Sequence, residues 1–371
     1  PGSVLMRVLH VTDCFHGGVA TAVDQYARLT PEHEHLLLAN NARGSDAPVQ
    51  RTPGVFLTDL ELPASPVAAV RAVREAVRTY RPDVVHAHSS FAGAFVRTAA
   101  ALDRVLPGSE ARPVLYTPHS FAFERADIPT WKRSLFRGME KALYPLTSVG
   151  VPCADREGEL MTGLNSRFGR NVPVIVVPNV LLDDHPAVPD SWAPTDPPTV
   201  GVVSRVTPQR DPAFFVETAE RIRASRPEVR FTWIGDGDGK DAALTDLLTD
   251  AGIEVTGWLS GEELHRRVSE LSLVIHTARW DGFPMAVLEV RRIGVPLLVR
   301  DIPALQECPA TSRFSTPEQA AEKALAILNA GSDPAFWEGL DRAHAPARQR
   351  ARLAEAYGLA VGRPGKQAVT I

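Results

Sequence analysis

Short runs of β-branched and aliphatic residues recur along this 371-residue chain, each followed by a stretch of helical periodicity, and the alternation restarts once after a cluster of prolines. That pattern requires an α/β fold, because parallel strands need helical crossovers to return the chain to the same sheet edge. The first series contains RVLHVT, HEHLLLA, GVFLTD, a strand over 83–87, PVLYT, LTSVGV and VPVIVVP. Its helices are expected from about Ala20, over 65–80, from Phe91, from Pro129 and over 154–164. The second series opens at TVGVVS and runs through VRFTWIG, IEVTG, SLVIHT and VPLLVR, with a helix after each of the first four and another over 317–329. Prolines at 178, 186, 189, 194, 197 and 198 mark the join. The expected organisation is a first domain over 4–178, a linker over 179–198, a second domain over 199–357 and a tail over 358–371. The last helix is free to pack back on the first domain. Two doubly wound domains facing one another leave a cleft between them, where ligands are expected.

Composition narrows the function classes. Hydrophobic residues make up 44% and charged residues 23%, as in water-soluble globular proteins, and a net charge of -4 gives no general attraction to nucleic acid. No run is long and apolar enough to span a bilayer. Cys14, Cys153 and Cys308 are odd in number and share no metal-ligand spacing, so reduced thiols and a cytoplasmic setting are expected. Pro1–Gly2–Ser3 reads as a cloning remnant, with the natural start expected at Val4 or Met6.

Chemistry-bearing residues gather where strands end. His16–Gly17–Gly18 follows the first strand, and two glycines there let backbone approach a ligand. No G-x-G-x-x-G is present, so this is not a dinucleotide fingerprint. His86 and His88 end the fourth strand, Ser89 follows, and His119 follows the fifth; H-x-H raises zinc, but no third ligand has the spacing, and no metal is expected. His119 suits a neutral hydrogen-bonding group or a proton donor beside a leaving oxygen. Arg205 and Arg210, in SRVTPQRD, are guanidiniums that can clamp a diphosphate. Asp236–Gly237–Asp238 matches the form of a divalent-metal D-x-D, although its Gly-rich turn favours backbone approach to a nucleotide. In WDGFPMAVLEV, Asp281 and Glu289 flank a loop-to-helix junction whose free amides suit phosphate oxygens; alone, the pair reads as a helix cap and a solvated glutamate. Over 131–143, Trp131, Leu135, Phe136, Met139 and Leu143 form one stripe. It is expected to face the core with a basic outer face, contact with a membrane surface being the alternative.

In order, HGGVATAV, DVVHAHSS, TPHSF, VVPNV, GVVSRVTPQRD, WIGDGDG, VTGW and WDGFPMAVLEVRRIGVP resemble the retaining glycosyltransferases of family 4, over nearly the whole chain. The resemblance implies the GT-B architecture, two facing Rossmann-like domains with an interdomain cleft. It implies transfer of a sugar, with retention, from a nucleotide-diphosphate donor to an acceptor hydroxyl of a glycoside, oligosaccharide, natural product or lipid carrier, with no cofactor. Carried over, His119 and Asp281 would act at the reacting sugar. Gly17, Gly18, Arg205, Arg210, Gly282, Phe283, Pro284, Met285 and Glu289 would bind the donor, with Glu289 on the ribose. His16, His88 and Ser89 would lie on the acceptor side. Arg210 stands where the family has lysine, and Asp281 where it has the first glutamate of Glu-x7-Glu. The shorter carboxylate raises a pentose, deoxy or other unusual sugar. Alternative readings are a nucleotide-sugar epimerase or sugar phosphorylase of the same fold, or a non-catalytic sugar-nucleotide-binding partner subunit.

Overall fold

A computed structural model describes residues 5–41, 52–107, 110–165, 171–182, 196–237, 242–331 and 337–362. The chain divides into two compact units, one drawn from Pro1–Val180 together with His344–Ile371, the other from Leu181–Ala343. Unit 1 contains β1 (Arg7–Thr12), α1 (Gly17–Leu29), β2 (Glu34–Ala39), β3 (Thr58–Glu61), α2 (Pro66–Tyr80), β4 (Val84–His88), α3 (Ser90–Val105), β5 (Val114–Thr117), α4 (Thr130–Leu143), β6 (Val149–Gly150) and α5 (Asp155–Leu164). Unit 2 contains β7 (Thr199–Val203), α6 (Pro212–Ser225), β8 (Arg230–Ile234), α7 (Ala242–Asp250), β9 (Glu254–Val255), α8 (Gly261–Ser269), β10 (Leu273–His276), α9 (Met285–Ile293), β11 (Leu297–Arg300), β12 (Arg313–Phe314), α10 (Pro317–Ala330) and α11 (Glu338–Ala343). The last helix, α12 (Pro346–Ala360), belongs to unit 1.

Each unit has a six-stranded parallel sheet, ordered β3-β2-β1-β4-β5-β6 and β12-β11-β10-β7-β8-β9. Read from its first strand outward, each is the doubly wound order, with the reversal at β1/β4 and at β7/β10, where ligand crevices form beyond the strands' carboxyl ends. Two Rossmann-like domains are therefore present.

The sheet of unit 1 is buried on both faces, which is why its strands read as unbroken apolar runs. Leu9, Val11, Val85, Ala87 and Tyr116 pack on one side with Ala69 and Val73 of α2 and Val96 of α3. Val8, Val84 and Leu115 pack on the other with Tyr26 of α1 and Leu353 and Tyr357 of α12. Period-two alternation puts His10, His86 and His88 on this second face, and the register sets His10 beside His86.

Three expectations fail locally. VPVIVVP forms a single bridge, Gly150 to Val174, rather than a strand. Pro173 and Pro178 lack the N–H groups a ladder needs, and only intermittent bonds survive, such as Ile175 N–H to Gly150 O at 2.9 Å and Val177 N–H to Pro152 O at 2.8 Å. The helix expected from about Ala20 begins earlier, at Gly17. Most consequentially, the apolar stripe of α4 faces outward: Trp131, Leu135 and Met139 are 64%, 54% and 42% exposed. The buried residue of that helix is Glu140, which accepts from Arg97 at 2.8 Å and from the Tyr116 hydroxyl at 2.7 Å. Arg97 is fully enclosed, and a buried guanidinium cannot be left without its carboxylate, so this pair, with half-buried Phe136, decides which side of α4 faces in. Most of the linker, residues 183–195, lies outside the described residues, as does the tail beyond Gly362.

Candidate functional site

In unit 1 the loops after β1, β4 and β5 build one edge. Gly17 has φ 54°, a left-handed conformation that lets α1 start directly after the loop; Gly18 is exposed beside it. His16 sets its Nε2 3.1 Å from the Asn41 carbonyl, just past the end of β2. Ser89, at φ 84°, donates its hydroxyl to the Asp13 carboxylate and accepts from Ala92 N–H at 3.3 Å, capping α3. His119 and Ser120 have φ 47° and 79°, two successive non-glycine residues in the left-handed region. The buried Glu157 carboxylate holds that turn by accepting from Ser120 N–H and, at 3.0 Å, from Cys153 N–H. Such strain persists only where the surroundings over-determine it, and it gathers at functional positions.

Behind this edge lies a row of imidazoles. His119 Nε2 is 3.2 Å from His88 Nδ1, His88 Nε2 is 3.0 Å from His10 Nδ1, and His10 Nε2 is 3.0 Å from His35 Nδ1. His35 Nε2 ends the row, 3.0 Å from the Thr30 carbonyl. His86 stands aside, with Nε2 2.9 Å from the Thr117 hydroxyl and Nδ1 3.4 Å from the Tyr357 hydroxyl. Burial holds these rings neutral: His35 and His119 fall to about 4, His86 to about 3, and His10 and His88 well below the usual histidine range. His88 is wholly buried, with both nitrogens engaged, so it reaches solvent only through His119. Sequence reasoning singled out His16, His86, His88 and His119 but passed over His10, His35, Asp13 and Glu157. His10 and His35 sit inside apolar strand runs, and only the face alternation of β1 and β2 could have found them.

Unit 2 gathers the loop after β7 and the loop between β10 and α9. Arg205 is exposed at the end of β7 and has no protein partner among the described residues. Gly235 holds this corner: at φ 144°, a Cβ on it would stand 2.0 Å from the Ser204 carbonyl oxygen, so the chain after β8 can touch the end of β7 only with glycine there. Arg279 N–H donates to Gln209 O at 2.9 Å and the Gln209 side chain to Trp280 O at 2.8 Å, tying the two loops together. Arg210 closes the tie through an ion pair with Asp281, and the same Nη1 lies 3.2 Å from His276 Nε2. That nitrogen therefore accepts, the proton of neutral His276 is on Nδ1, and that buried Nδ1 has no partner. His276 is a further residue that sequence reasoning missed, hidden at the end of an apolar strand.

The junction corrects the simpler reading of the D-x7-E pair. Asp281 is not the cap of α9: the N-cap is Pro284, with no side-chain bond, and Asp281 accepts instead from Gly282 N–H at 2.8 Å. Gly282, Phe283, Pro284 and Met285 are buried, forming a fixed platform ahead of the uncapped first turn. Glu289 is half-buried, has no protein partner among the described residues, and burial raises its pKa above the usual carboxylate range. Asp236 is exposed and bonds its neighbour Gly237 N–H at 2.7 Å; Asp238 lies outside the described residues. Among the described residues the one close group of metal-ligand types is His10, His86 and His88.

Residues 17–180 match the family model of the glycosyl transferase 4-like domain, and residues 197–332 that of the glycosyl transferases group 1. An uncharacterized 41.2 kDa protein in the cps region of Klebsiella pneumoniae is 22% identical over 308 residues, 81% of this chain and 83% of that protein. The Escherichia coli UDP-Gal:alpha-D-GlcNAc-diphosphoundecaprenol alpha-1,3-galactosyltransferase is 24% identical over 59% of this chain and 58% of its own. Among solved structures, sucrose-phosphate synthase from Thermosynechococcus elongatus aligns with a TM-score of 0.68 at 14% identity, covering 96% of both chains. Anabaena HepE in complex with UDP-glucose aligns with a TM-score of 0.63 at 14% identity, covering 95% of this chain and 96% of that one.

Proposed function

The chain belongs to the GT-B glycosyltransferases, a glycosyl transferase 4-like domain followed by a glycosyl transferases group 1 domain, and from that premise we propose that it transfers a sugar, with retention, from a nucleotide-diphosphate donor to an acceptor hydroxyl. The observation that carries the donor reading is a pair of unmatched charges in unit 2. Arg205 is a solvent-facing guanidinium and Glu289 a desolvated carboxylate, and neither has a protein partner among the described residues. A fork of donors matches diphosphate oxygens, and a carboxylate without donors matches a ribose diol. The free amides at the start of α9 add donors for a phosphate.

In this reading the acceptor oxygen attacks the anomeric carbon as its bond to the β-phosphate oxygen breaks, and the acceptor proton passes to that leaving oxygen. Asp281 is a poor candidate for a covalent nucleophile, because Arg210 already holds its charge. The role we assign to it is orienting sugar hydroxyls, with Arg210 reaching the diphosphate once donor displaces part of the pair. The shorter carboxylate fits a pentose, deoxy or other unusual sugar, and HepE with UDP-glucose supports a nucleotide-sugar donor in general. The epimerase, phosphorylase and non-catalytic readings are not favoured, because both halves match glycosyltransferase models. The deciding experiment is a panel of nucleotide sugars, including pentose and deoxy donors. At a hundred times Kd the cognate donor should stabilise the fold by about 2.7 kcal/mol and, with acceptor, release nucleoside diphosphate. Stabilisation by none of them would remove the donor assignment.

The outward face of α4 favours a lipid-borne acceptor, and the Escherichia coli relative carries diphosphoundecaprenol in its name. Trp131, Leu135 and Met139 project within about 80° of one another around the helix. Lys132, Arg133, Arg137 and Lys141 are exposed around the same helix, whose one acidic residue, Glu140, is buried. Lys132 stands beside Trp131, 5.5 Å from its ring centroid, and apolar tips with a cation at their edge suit the interface of an anionic bilayer. Among the described residues no helix is long and apolar enough to cross a membrane, so contact would be peripheral. Sedimentation with phosphatidylglycerol-containing vesicles should capture the protein, and pure phosphatidylcholine should not. Replacing Trp131, Leu135 and Met139 together by serine should weaken capture about tenfold or more, since each loses apolar burial of order 1 kcal/mol. Equal capture of the triple variant would end the proposal.

A further inference from the structure

The imidazole row behind His119 has a direction, and one carbonyl sets it. A carbonyl oxygen only accepts, so His35 Nε2, 3.0 Å from Thr30 O, carries a hydrogen. The Thr30 hydroxyl agrees: its own hydrogen goes to Tyr26 O at 2.7 Å, so toward His35 Nε2, 3.2 Å away, it too accepts. A neutral imidazole with its hydrogen on Nε2 has a bare Nδ1, so His35 Nδ1 accepts from His10 Nε2. The same logic makes His10 Nδ1 accept from His88 Nε2 and His88 Nδ1 accept from His119 Nε2. We infer that the Thr30 carbonyl, acting through His35, His10 and His88, locks His119 in the Nε2–H tautomer and leaves its Nδ1 bare as a hydrogen-bond acceptor for a substrate hydroxyl.

His119 is the one member of the four that is not fully buried, and its Nδ1 has no protein partner among the described residues. The remote end is closed. A proton entering at His119 Nδ1 would have to be passed inward from ring to ring, and the last ring faces a carbonyl that cannot take it. The charge would stay on a buried imidazolium, in surroundings that hold all four rings well below their usual pKa. The row is thus a clamp on orientation and tautomer rather than an exit for protons. His35, His10 and His88 are positioning residues, doing for His119 what an outer-shell hydrogen bond does for a ligating or catalytic histidine. Of the two roles expected of His119, neutral hydrogen-bonding group and proton donor, the row favours the first: in its resting form it accepts. The functional part rests on the reading that His119 faces the reacting sugar, but the tautomer does not.

The rival use of these side chains is a metal held by His10, His86 and His88, whose ligand atoms lie within 4.8 Å of one another. Coordination would take a lone pair from His10 or His88 and break the bond between them. The test is nitrogen-15 NMR of the full chain labelled in histidine, with metal content measured on the same sample. His119 should show a protonated Nε2 and a bare Nδ1 at pH 7.5; a protonated Nδ1, or one bound metal per chain, overturns the proposal whatever the activity. His35→Leu should turn the His119 signal into a mixture of tautomers and lower kcat roughly tenfold with KM within about twofold. His35→Gln, whose amide supplies one donor and one acceptor, should restore both. Should His35→Leu fail to fold, the wild-type spectrum still decides. The predicted tautomer with kcat unchanged in His35→Leu would keep the clamp and remove the assignment of His119 to the reaction.

Discussion

Arg205→Ala is expected to lower kcat/KM by about a thousandfold while leaving the melting temperature unchanged. On the proposed donor site the activity loss follows from removing a charged donor for the leaving diphosphate, a class of interaction worth about 3–4 kcal/mol in preorganised sites. The unchanged stability follows from position: the guanidinium is exposed and makes no bond that folding needs. Arg205→Lys should recover only part of the loss, because an ammonium keeps the charge without the planar fork. Titration with the nucleoside diphosphate of the active donor separates the causes. Weaker binding together with lost turnover is the expected pair, and unchanged diphosphate affinity in Arg205→Ala would refute the donor site drawn on unit 2.

Acid should destabilise unit 1 far more than its carboxylates alone would. His10, His35, His86 and His88 are buried as neutral rings, with desolvation the main cause, so their folded pKa values lie below the unfolded value near 6.5. A group depressed in this way contributes its full share above pH 6.5 and loses it as pH falls toward the folded value. His35 at about 4 and His86 at about 3 each lose about 1.4 kcal/mol per pH unit across that window. By pH 4.5 these two alone remove roughly 5 kcal/mol, comparable to the whole stability of an ordinary domain. Glu124 works the other way: burial lifts its carboxyl to about 7, so the folded state gains relative stability as pH falls through 7, offsetting about one histidine. Urea midpoints measured from pH 7.5 to 4.5 should therefore drop steeply below pH 6.5. A flat profile would mean that the face between the sheet and α12 is hydrated and the rings titrate in place.

Much of the architecture was legible in the sequence for a simple reason. Strands buried on both faces must be apolar throughout, and crossover helices must be amphipathic, so the alternation of the two announces a parallel sheet before any contact is known. The loops proposed to hold the donor stand out in the sequence too, since Gly, Pro, Arg and acidic residues interrupt those runs at strand ends. What escaped is what depends on neighbours distant in sequence. His10 and His35 look like chance polar residues until the register brings β1 between β2 and β4. Asp281 looks like a cap until Arg210, 71 residues away in the chain, takes its charge.

The sequence by itself determined two doubly wound halves and the loops that carry Arg205, Asp281 and Glu289, because periodicity and chain breakers act locally. Only the tertiary structure decided which face of α4 turns outward, which carboxylate stands unpaired and which nitrogen of His119 is bare. Each of those depends on partners distant in the chain, Arg97 and Tyr116 for Glu140, Arg210 for Asp281, and for His119 the stacking of His88, His10 and His35 from three strands, and no local pattern encodes such a partner.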